Sequence, residues 1–148
     1  MKIKIEIKNR YTDQVLFELE KENNTIKETV LEAVKSGAGL YRAYLHGADL
    51  TGAGLYRANL TGAYLYGIKI SKAIFISGLY KYQCGAIIAE DGSEYIKLGC
   101  YIRLLTEWES DFWNNPNEFT NDNSVKSNLR VLAFETCKKW IEINREAK

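Results

Sequence analysis

AGLYR AYLHG ADLTG AGLYR ANLTG AYLYG IKISK AIFIS: residues 38–77, written in fives, form eight similar units. Seven of the eight begin with Ala, and the first six carry Leu at the centre. A helix repeats at 3.6 residues and a strand at two, so neither produces a period of five. Self-similarity at a fixed period marks an array whose units bury their apolar sides by stacking. The small Ala and the larger Leu are the inward pair of each unit; the other three positions face outward.

Two units, Ala48-Asp49-Leu50-Thr51-Gly52 and Ala58-Asn59-Leu60-Thr61-Gly62, fit the pattern A(D/N)LxG. In this the stretch resembles pentapeptide-repeat proteins. The resemblance implies a right-handed quadrilateral β-helix with four units to each square coil, so that eight units make two coils. Coils would lie about one strand spacing apart, ~4.8 Å. At 20 residues per coil, Tyr44 is expected over Tyr64, His46 over Tyr66, Asp49 over Lys69, Tyr41 over Thr61 and Tyr56 over Ile76. Five of the ten tyrosines (Tyr41, Tyr44, Tyr56, Tyr64, Tyr66) then face outward beside Arg42 and Arg57. The segment holds four basic residues, Arg42, Arg57, Lys69 and Lys72, against one acidic residue, Asp49. Its outer surface is aromatic and mildly basic.

Before the repeat, residues 2–8 and 14–20 read as a β-hairpin. Ile3, Ile5 and Ile7 alternate with charged residues, and Val15, Phe17 and Leu19 do the same after a polar turn. Thr25 and Glu28 have the spacing of a capping box, opening a helix over 25–36 with Gly37 as its stop. Repeat arrays need covered ends, and this helix is placed to cover one.

After the repeat, residues 79–99 read as a second hairpin around Glu90-Asp91-Gly92, since Asp-Gly between apolar runs favours a tight turn. The run Thr106-Glu107-Trp108-Glu109 reads as a second capping box, opening a short helix that ends near Asn114-Asn115-Pro116. A polar loop covers 114–123. A last helix is expected from Ser124 to Glu146, with Leu129, Leu132, Ala133, Cys137, Trp140 and Ile141 on one face. The core beneath it would take in Trp108, Phe112 and Phe134. The expected organisation is therefore α+β: a hairpin and helix over 1–37, the repeat over 38–77, and a C-terminal α+β module over 78–148.

Composition narrows function. The 148 residues (16.9 kDa) carry 20 Lys and Arg against 19 Asp and Glu, a net charge of +1. That speaks against a wholesale DNA binder, which needs a strong basic excess, and against a DNA mimic, which needs an acidic one. No apolar run approaches the ~20 residues that span a bilayer, and the alternating N-terminus is unlike a signal peptide. Cys84, Cys100 and Cys137 are odd in number and lack C-x-x-C spacing, so reduced thiols of a cytosolic protein are expected.

Enzyme chemistry finds little support. His46 is the sole histidine, and no cysteine pair has zinc-ligand spacing. P-loop, G-x-S-x-G and H-E-x-x-H patterns are missing. Glu107, Glu109 and Asp111 suit the dipole at a helix start better than acid–base work. No catalytic residue, metal or cofactor is expected.

Two binding surfaces are candidates. One is the repeat's exterior, with Tyr41, Arg42, Tyr44, Tyr56, Arg57, Tyr64 and Tyr66. Its stacked rings either stabilise the fold or offer contact area at little entropic cost. The other is Arg103, Trp113, Asn114, Asn115, Ser127 and Arg130, a set that would stack a purine and pair a phosphate. The same asparagines would also serve helix caps and turns.

The layout further resembles a group of bacteriophage pentapeptide-repeat proteins. Gly78-Leu79-Tyr80, Leu98-Gly99-Cys100, Glu107-Trp108, Phe112-Trp113-Asn114-Asn115 and Ala133-Phe134-Glu135 carry this likeness. It implies a phage origin but no settled activity, and with that origin a host-directed role is expected: a non-enzymatic binder in the cytoplasm of the infected bacterium that sequesters a nucleotide-type immune signal or occupies a defence protein. Arg42, Arg57, Arg103 and Arg130 with the tyrosines and Trp113 suit an anionic, ring-bearing ligand, and such a sponge is expected as a homo-oligomer. The alternative is an assembly protein using the repeat as a rigid spacer. A topoisomerase-binding DNA mimic would need a longer, acidic coil. An uncharted nucleotide hydrolase is the remaining reading.

Overall fold

A computed structural model describes residues 1–50, 53–55, 58–113 and 121–146. These residues form an α+β structure, with a two-stranded sheet, a five-stranded sheet and three helices among them.

The N-terminal hairpin forms as expected, from β1 (Lys2–Lys8) and β2 (Val15–Glu22), with Ile5 opposite Leu19 and Ile7 opposite Phe17. Helix α1 (Ile26–Lys35) starts at the Thr25 capping box. There the Glu28 N–H donates to Thr25 Oγ1 at 3.2 Å, and the Thr25 N–H donates to the Glu28 carboxylate at 3.2 Å. Gly37, at φ +77°, ends it.

In the repeat, Leu40, Leu45, Leu50, Leu55, Leu60 and Leu65 are all buried, as are Ala43, Ala53 and Ala63. The inward pairing of Ala and Leu is thus realised. A tight turn recurs with the sequence period: the N–H groups of Ala43, Ala48, Ala53, Ala58 and Ala63 donate to the carbonyls of Leu40, Leu45, Leu50, Leu55 and Leu60 at 2.8–3.1 Å. Tyr44 and Tyr64, 20 residues apart, form a parallel bridge.

The last two units depart from the expected coil. β3 (Tyr64–Leu65) turns back through Tyr66 and Gly67 into β4 (Ile68–Ile76), an antiparallel partner. Tyr66 (φ +57°) and Gly67 (φ +71°) are both left-handed, the conformation of a two-residue hairpin turn of type I′. Lys69 therefore lies opposite Tyr64. The sequence period continues past residue 67, but the backbone becomes a strand that carries the array into a second sheet.

That sheet has the order β3-β4-β5-β6-β7, with β5 (Cys84–Ala89), β6 (Glu94–Leu98) and β7 (Tyr101–Leu104), all antiparallel. The expected turn at Glu90–Gly92 joins β5 to β6, with Gly92 at φ +87°. Tyr80 and Tyr82 precede β5 rather than belonging to it. β7 was not foreseen, and α2 (Leu105–Asp111) starts earlier than the Thr106 box: the Glu107 carboxylate accepts from the Leu104 N–H at 2.9 Å.

Helix α3 (Val125–Glu146) packs on β5 and β6. Its buried face is Ser127, Arg130, Ala133, Phe134, Cys137 and Ile141. This corrects the expected face, because Leu129 and Leu132 are exposed together with Val125 and Ile143.

Two cores result. One joins Ile7, Val30 and Ala33 to the repeat's leucines and to Phe75 and Ile87; the other holds Trp108, Leu98, Ile96 and Cys84 under Phe134 and Cys137. Trp108 is fully buried, and its Nε1–H donates to the Ile96 carbonyl at 2.7 Å.

Candidate functional site

Backbone hydrogen bonds thread the hairpin, the repeat and the second sheet in series. Tyr44 N–H donates to Lys8 O, Arg42 N–H to Thr61 O, Tyr64 N–H to Ala43 O, Gly62 N–H to Ile70 O and Glu90 N–H to Lys69 O, all at 2.8–2.9 Å. Side chains projecting from this ladder meet on one side of it.

Arg42 is the centre of that surface. It stands at the fifth position of its unit, where Gly47, Gly62 and Gly67 have φ of +76°, +73° and +71°, and it shares their conformation at φ +59°. A residue with a Cβ incurs about 1 kcal/mol or more there. Its stem lies against Gly62: a Cβ on Gly62 would stand 2.7 Å from Arg42 Cγ. Its guanidinium sits 4.8 Å from the Tyr41 ring centroid and 5.5 Å from that of Tyr11.

The adjoining rings form a continuous group. His46 stacks on Tyr64 with centroids 4.4 Å apart and planes 11° apart, and Tyr44 meets Tyr64 edge-on at 5.9 Å. Tyr44 over Tyr64 is the expected pair, whereas His46 takes Tyr64 instead of the expected Tyr66. Arg10 completes the group. Its guanidinium lies 4.7 Å from the Tyr11 centroid and 5.8 Å from Tyr64, donates to Gly62 O at 3.1 Å, and pairs with Glu90 at 3.2 Å. The Tyr11 hydroxyl also reaches Glu90, at 3.2 Å. Tyr11, Tyr41 and Tyr44 are 58%, 43% and 52% exposed, enough ring face for an incoming partner.

Tyr66 stands apart from this group, half-buried at the hairpin turn. Burial and, less so, nearby Asp49 push its pKa up to about 12, and its hydroxyl has no hydrogen-bond partner among the described residues. Tyr56 and Arg57 lie outside the described residues. Arg10, Tyr11 and Glu90 escaped the sequence reading. They come from two turns remote in sequence, and no local signal marks turn residues as neighbours.

The second candidate region is spread over two places. Arg130, buried on α3, has its guanidinium 5.7 Å from the Trp113 ring; Arg103 lies 4.9 Å from Trp108 and 5.8 Å from Tyr101. Ser127 is buried and bonds within the first turn of α3, its N–H to Ser124 Oγ at 3.1 Å and its hydroxyl to Ser124 O at 3.2 Å. Asn114 and Asn115 lie outside the described residues. A cleft of about 410 Å³ opens between α2 and α3, lined among others by Trp108, Glu109, Phe112, Trp113, Phe134 and Lys138. Lys138 pairs with Glu109 at 2.9 Å, which holds its pKa above the ordinary value. The described lining includes Trp113 but not Arg103, Ser127 or Arg130, so the aromatic and guanidinium groups expected to act together do not share it.

Among the described residues, no group of His, Cys, Asp and Glu is arranged to hold a metal ion, and no helix is long and apolar enough to cross a membrane. No curated protein and no solved structure matches the chain. Within it, residues 38–75 match the family model described as pentapeptide repeats (8 copies), so the array on which Arg42, Tyr44 and Tyr64 are mounted is similar to that of pentapeptide-repeat proteins.

Proposed function

We propose that this is a non-enzymatic binding protein whose docking face is the aromatic–guanidinium surface of Arg42, Tyr41, Tyr44, His46 and Tyr64, extended by Arg10 and Tyr11. The partner it suits is an anionic molecule bearing a planar ring, of the nucleotide type, since rings stack on Tyr and guanidinium pairs with phosphate. The observation that carries this reading is Arg42 itself, a charged residue kept in the left-handed slot that Gly47, Gly62 and Gly67 fill in their own units. Local strain of this kind gathers at functional sites.

In this reading the described residues of the repeat up to Gly67 follow a right-handed square coil. The turn recurring every five residues and the 20-residue register of Tyr44 and Tyr64 support that geometry. The biological setting proposed is a phage protein in the cytoplasm of its bacterial host, blunting a defence by holding an immune signal or a defence protein. It would act as a homo-oligomer, with the exposed Val125, Leu129, Leu132 and Ile143 available to a second copy. Light scattering on the purified protein measures that state.

The test is Arg42→Gly, which removes the guanidinium and relieves the backbone. Native mass spectrometry of the parent, after incubation with extract of phage-infected bacteria, should show an adduct of nucleotide mass that is released intact on denaturation. Arg42→Gly should lose it while melting no lower than the parent. A retained host protein lost in the same variant would move the reading to direct protein inhibition. An adduct kept by Arg42→Gly, or neither adduct nor partner, overturns this docking face.

The second reading is a rigid spacer. It is favoured by Arg10, whose guanidinium bonds the repeat at Gly62 and the second sheet at Glu90, so that the surface fastens the fold together.

A further inference from the structure

β7 is the last strand in the order β3-β4-β5-β6-β7, so among the described residues it is paired along one edge only. Gly99 and Cys100 join it to β6, with Leu98 opposite Tyr101. Gly99 stands at φ +61°, the glycine that a two-residue turn of type II′ needs at its first position. The closing pair of such a hairpin exchanges hydrogen bonds, and bonded and non-bonded pairs alternate after it. Leu98–Tyr101 and Ile96–Arg103 are therefore bonded pairs, whereas Ile102, opposite Lys97, turns its N–H and C=O away from β6. The Leu104 N–H turns the same way, and the Glu107 carboxylate accepts from it at 2.9 Å. That leaves Ile102 to present a donor and an acceptor at the open edge.

An edge of this kind is a template for another strand. We propose that it pairs with β7 of a second copy, antiparallel about a two-fold axis at Ile102, so that two five-stranded sheets join into one. This rests on the reading of the protein as a homo-oligomer and gives that oligomer its contact. The strand is self-complementary in this register. Ile102 exchanges both hydrogen bonds with Ile102 of the second copy, and the two side chains meet on the face where Ile102 packs against the repeat's core. On the other face Tyr101 stands opposite Arg103 of the second copy, and Arg103 opposite its Tyr101. These are non-bonded pairs, the closest spacing in a ladder, and a guanidinium on a tyrosine ring attracts it. β7 already makes that contact internally, with Arg103 5.8 Å from the Tyr101 centroid and 4.9 Å from that of Trp108. A register two residues further would set Arg103 against Arg103, which like charges oppose, and would need the Leu104 N–H that Glu107 occupies. Four residues a side make a small contact, and small interfaces are weak. The dimer should therefore form and dissociate with concentration.

The experiment is sedimentation of the full chain from micromolar to near-millimolar concentration. The expected result is a reversible rise from 16.9 kDa to twice that mass. Ile102→Pro removes the outward N–H without touching a bond to β6, and proline is tolerated on edge strands. It should weaken the dimer about tenfold or more, with a circular dichroism spectrum like the parent's. A second variant does not depend on proline being accepted. Ile102→Cys in a Cys100→Ser background should cross-link two chains under mild oxidation, because bonded partners have Cα atoms ~5.5 Å apart, within disulfide reach. Leu132→Cys in the same background, on the exposed side of α3, should not. A parent that stays monomeric throughout overturns the contact together with the homo-oligomer. A dimer that Ile102→Pro leaves intact, or a cross-link at Leu132→Cys and none at Ile102→Cys, overturns the β7 contact while the homo-oligomer stands.

Discussion

Arg42 and Gly62 are stacked residues with opposite demands. Arg42 tolerates a left-handed backbone, and Gly62 supplies the empty space its stem occupies. Gly62→Ala should therefore cost about 2 kcal/mol, combining the strain of a Cβ at positive φ with the clash on Arg42. Urea denaturation measures it. Adding Arg42→Ala should restore part of the loss, whereas Gly39→Ala, with open space and no positive φ, should stay within about 0.5 kcal/mol of the parent. Tyr66 gives a pH prediction. Its folded pKa is about 12 against 10 when unfolded, so between those values the unfolded chain releases a proton that the native state keeps. Its contribution is complete below pH 10 and is lost as pH rises towards 12. Tyr66→Phe should remove that segment of the alkaline stability curve and leave neutral-pH stability unchanged or slightly raised, since the hydroxyl has no hydrogen-bond partner among the described residues. Ultraviolet titration of tyrosinate should show one late-ionising tyrosine fewer. The outward tyrosines and Arg42 were legible from position within the unit. The strain at Arg42 was not legible, because the fifth position carries Arg in two units and Gly in four, and only the backbone angle shows which conformation Arg42 takes.

Elements with a local cause were read correctly: α1 from its capping box, the first hairpin from alternation, the β5–β6 turn from Asp-Gly. Elements decided by remote partners were not. β4 has the period of the array, yet the left-handed pair Tyr66-Gly67 reverses the chain and β5 supplies a ladder, so tertiary pairing overrides the repeat. β7 is only four residues long and exists by pairing with β6. On α3 the apolar residues suggested one stripe, but the helix turns Ser127, Arg130, Ala133, Phe134, Cys137 and Ile141 to the core, a face at three- and four-residue spacing that Leu129 and Leu132 do not share. The hold of α2 on this sheet rests largely on Trp108. Trp108→Phe should destabilise by about 2 kcal/mol, through lost core volume and the loss of the indole hydrogen bond to Ile96. Thermal melting with near-ultraviolet circular dichroism, which reports that indole, checks this.

Across the whole molecule, three sequence segments share one hydrogen-bonded ladder and one side-chain clasp. The clasp was invisible in the sequence because Arg10 and Glu90 are 80 residues apart. The Arg10 side chain is 9% exposed and that of Glu90 40%, so the pair is partly shielded and belongs above the surface-pair range. Glu90→Ala should cost about 1–2 kcal/mol and leave Arg10 held by the Gly62 carbonyl. The loss should persist at high salt, as denaturation in 0.1 M and 1 M chloride would show. The same clasp limits how the chain can evolve. Arrays of short units ordinarily grow or shrink by duplication and deletion, since each layer needs only its neighbours. Here a single arginine measures the gap between the first turn of the chain and the far sheet. In the coil proposed above, one inserted layer would move Glu90 away by about 4.8 Å, out of its reach. Arg10 therefore works as a gauge of layer number, and it makes a modular architecture into one of fixed length.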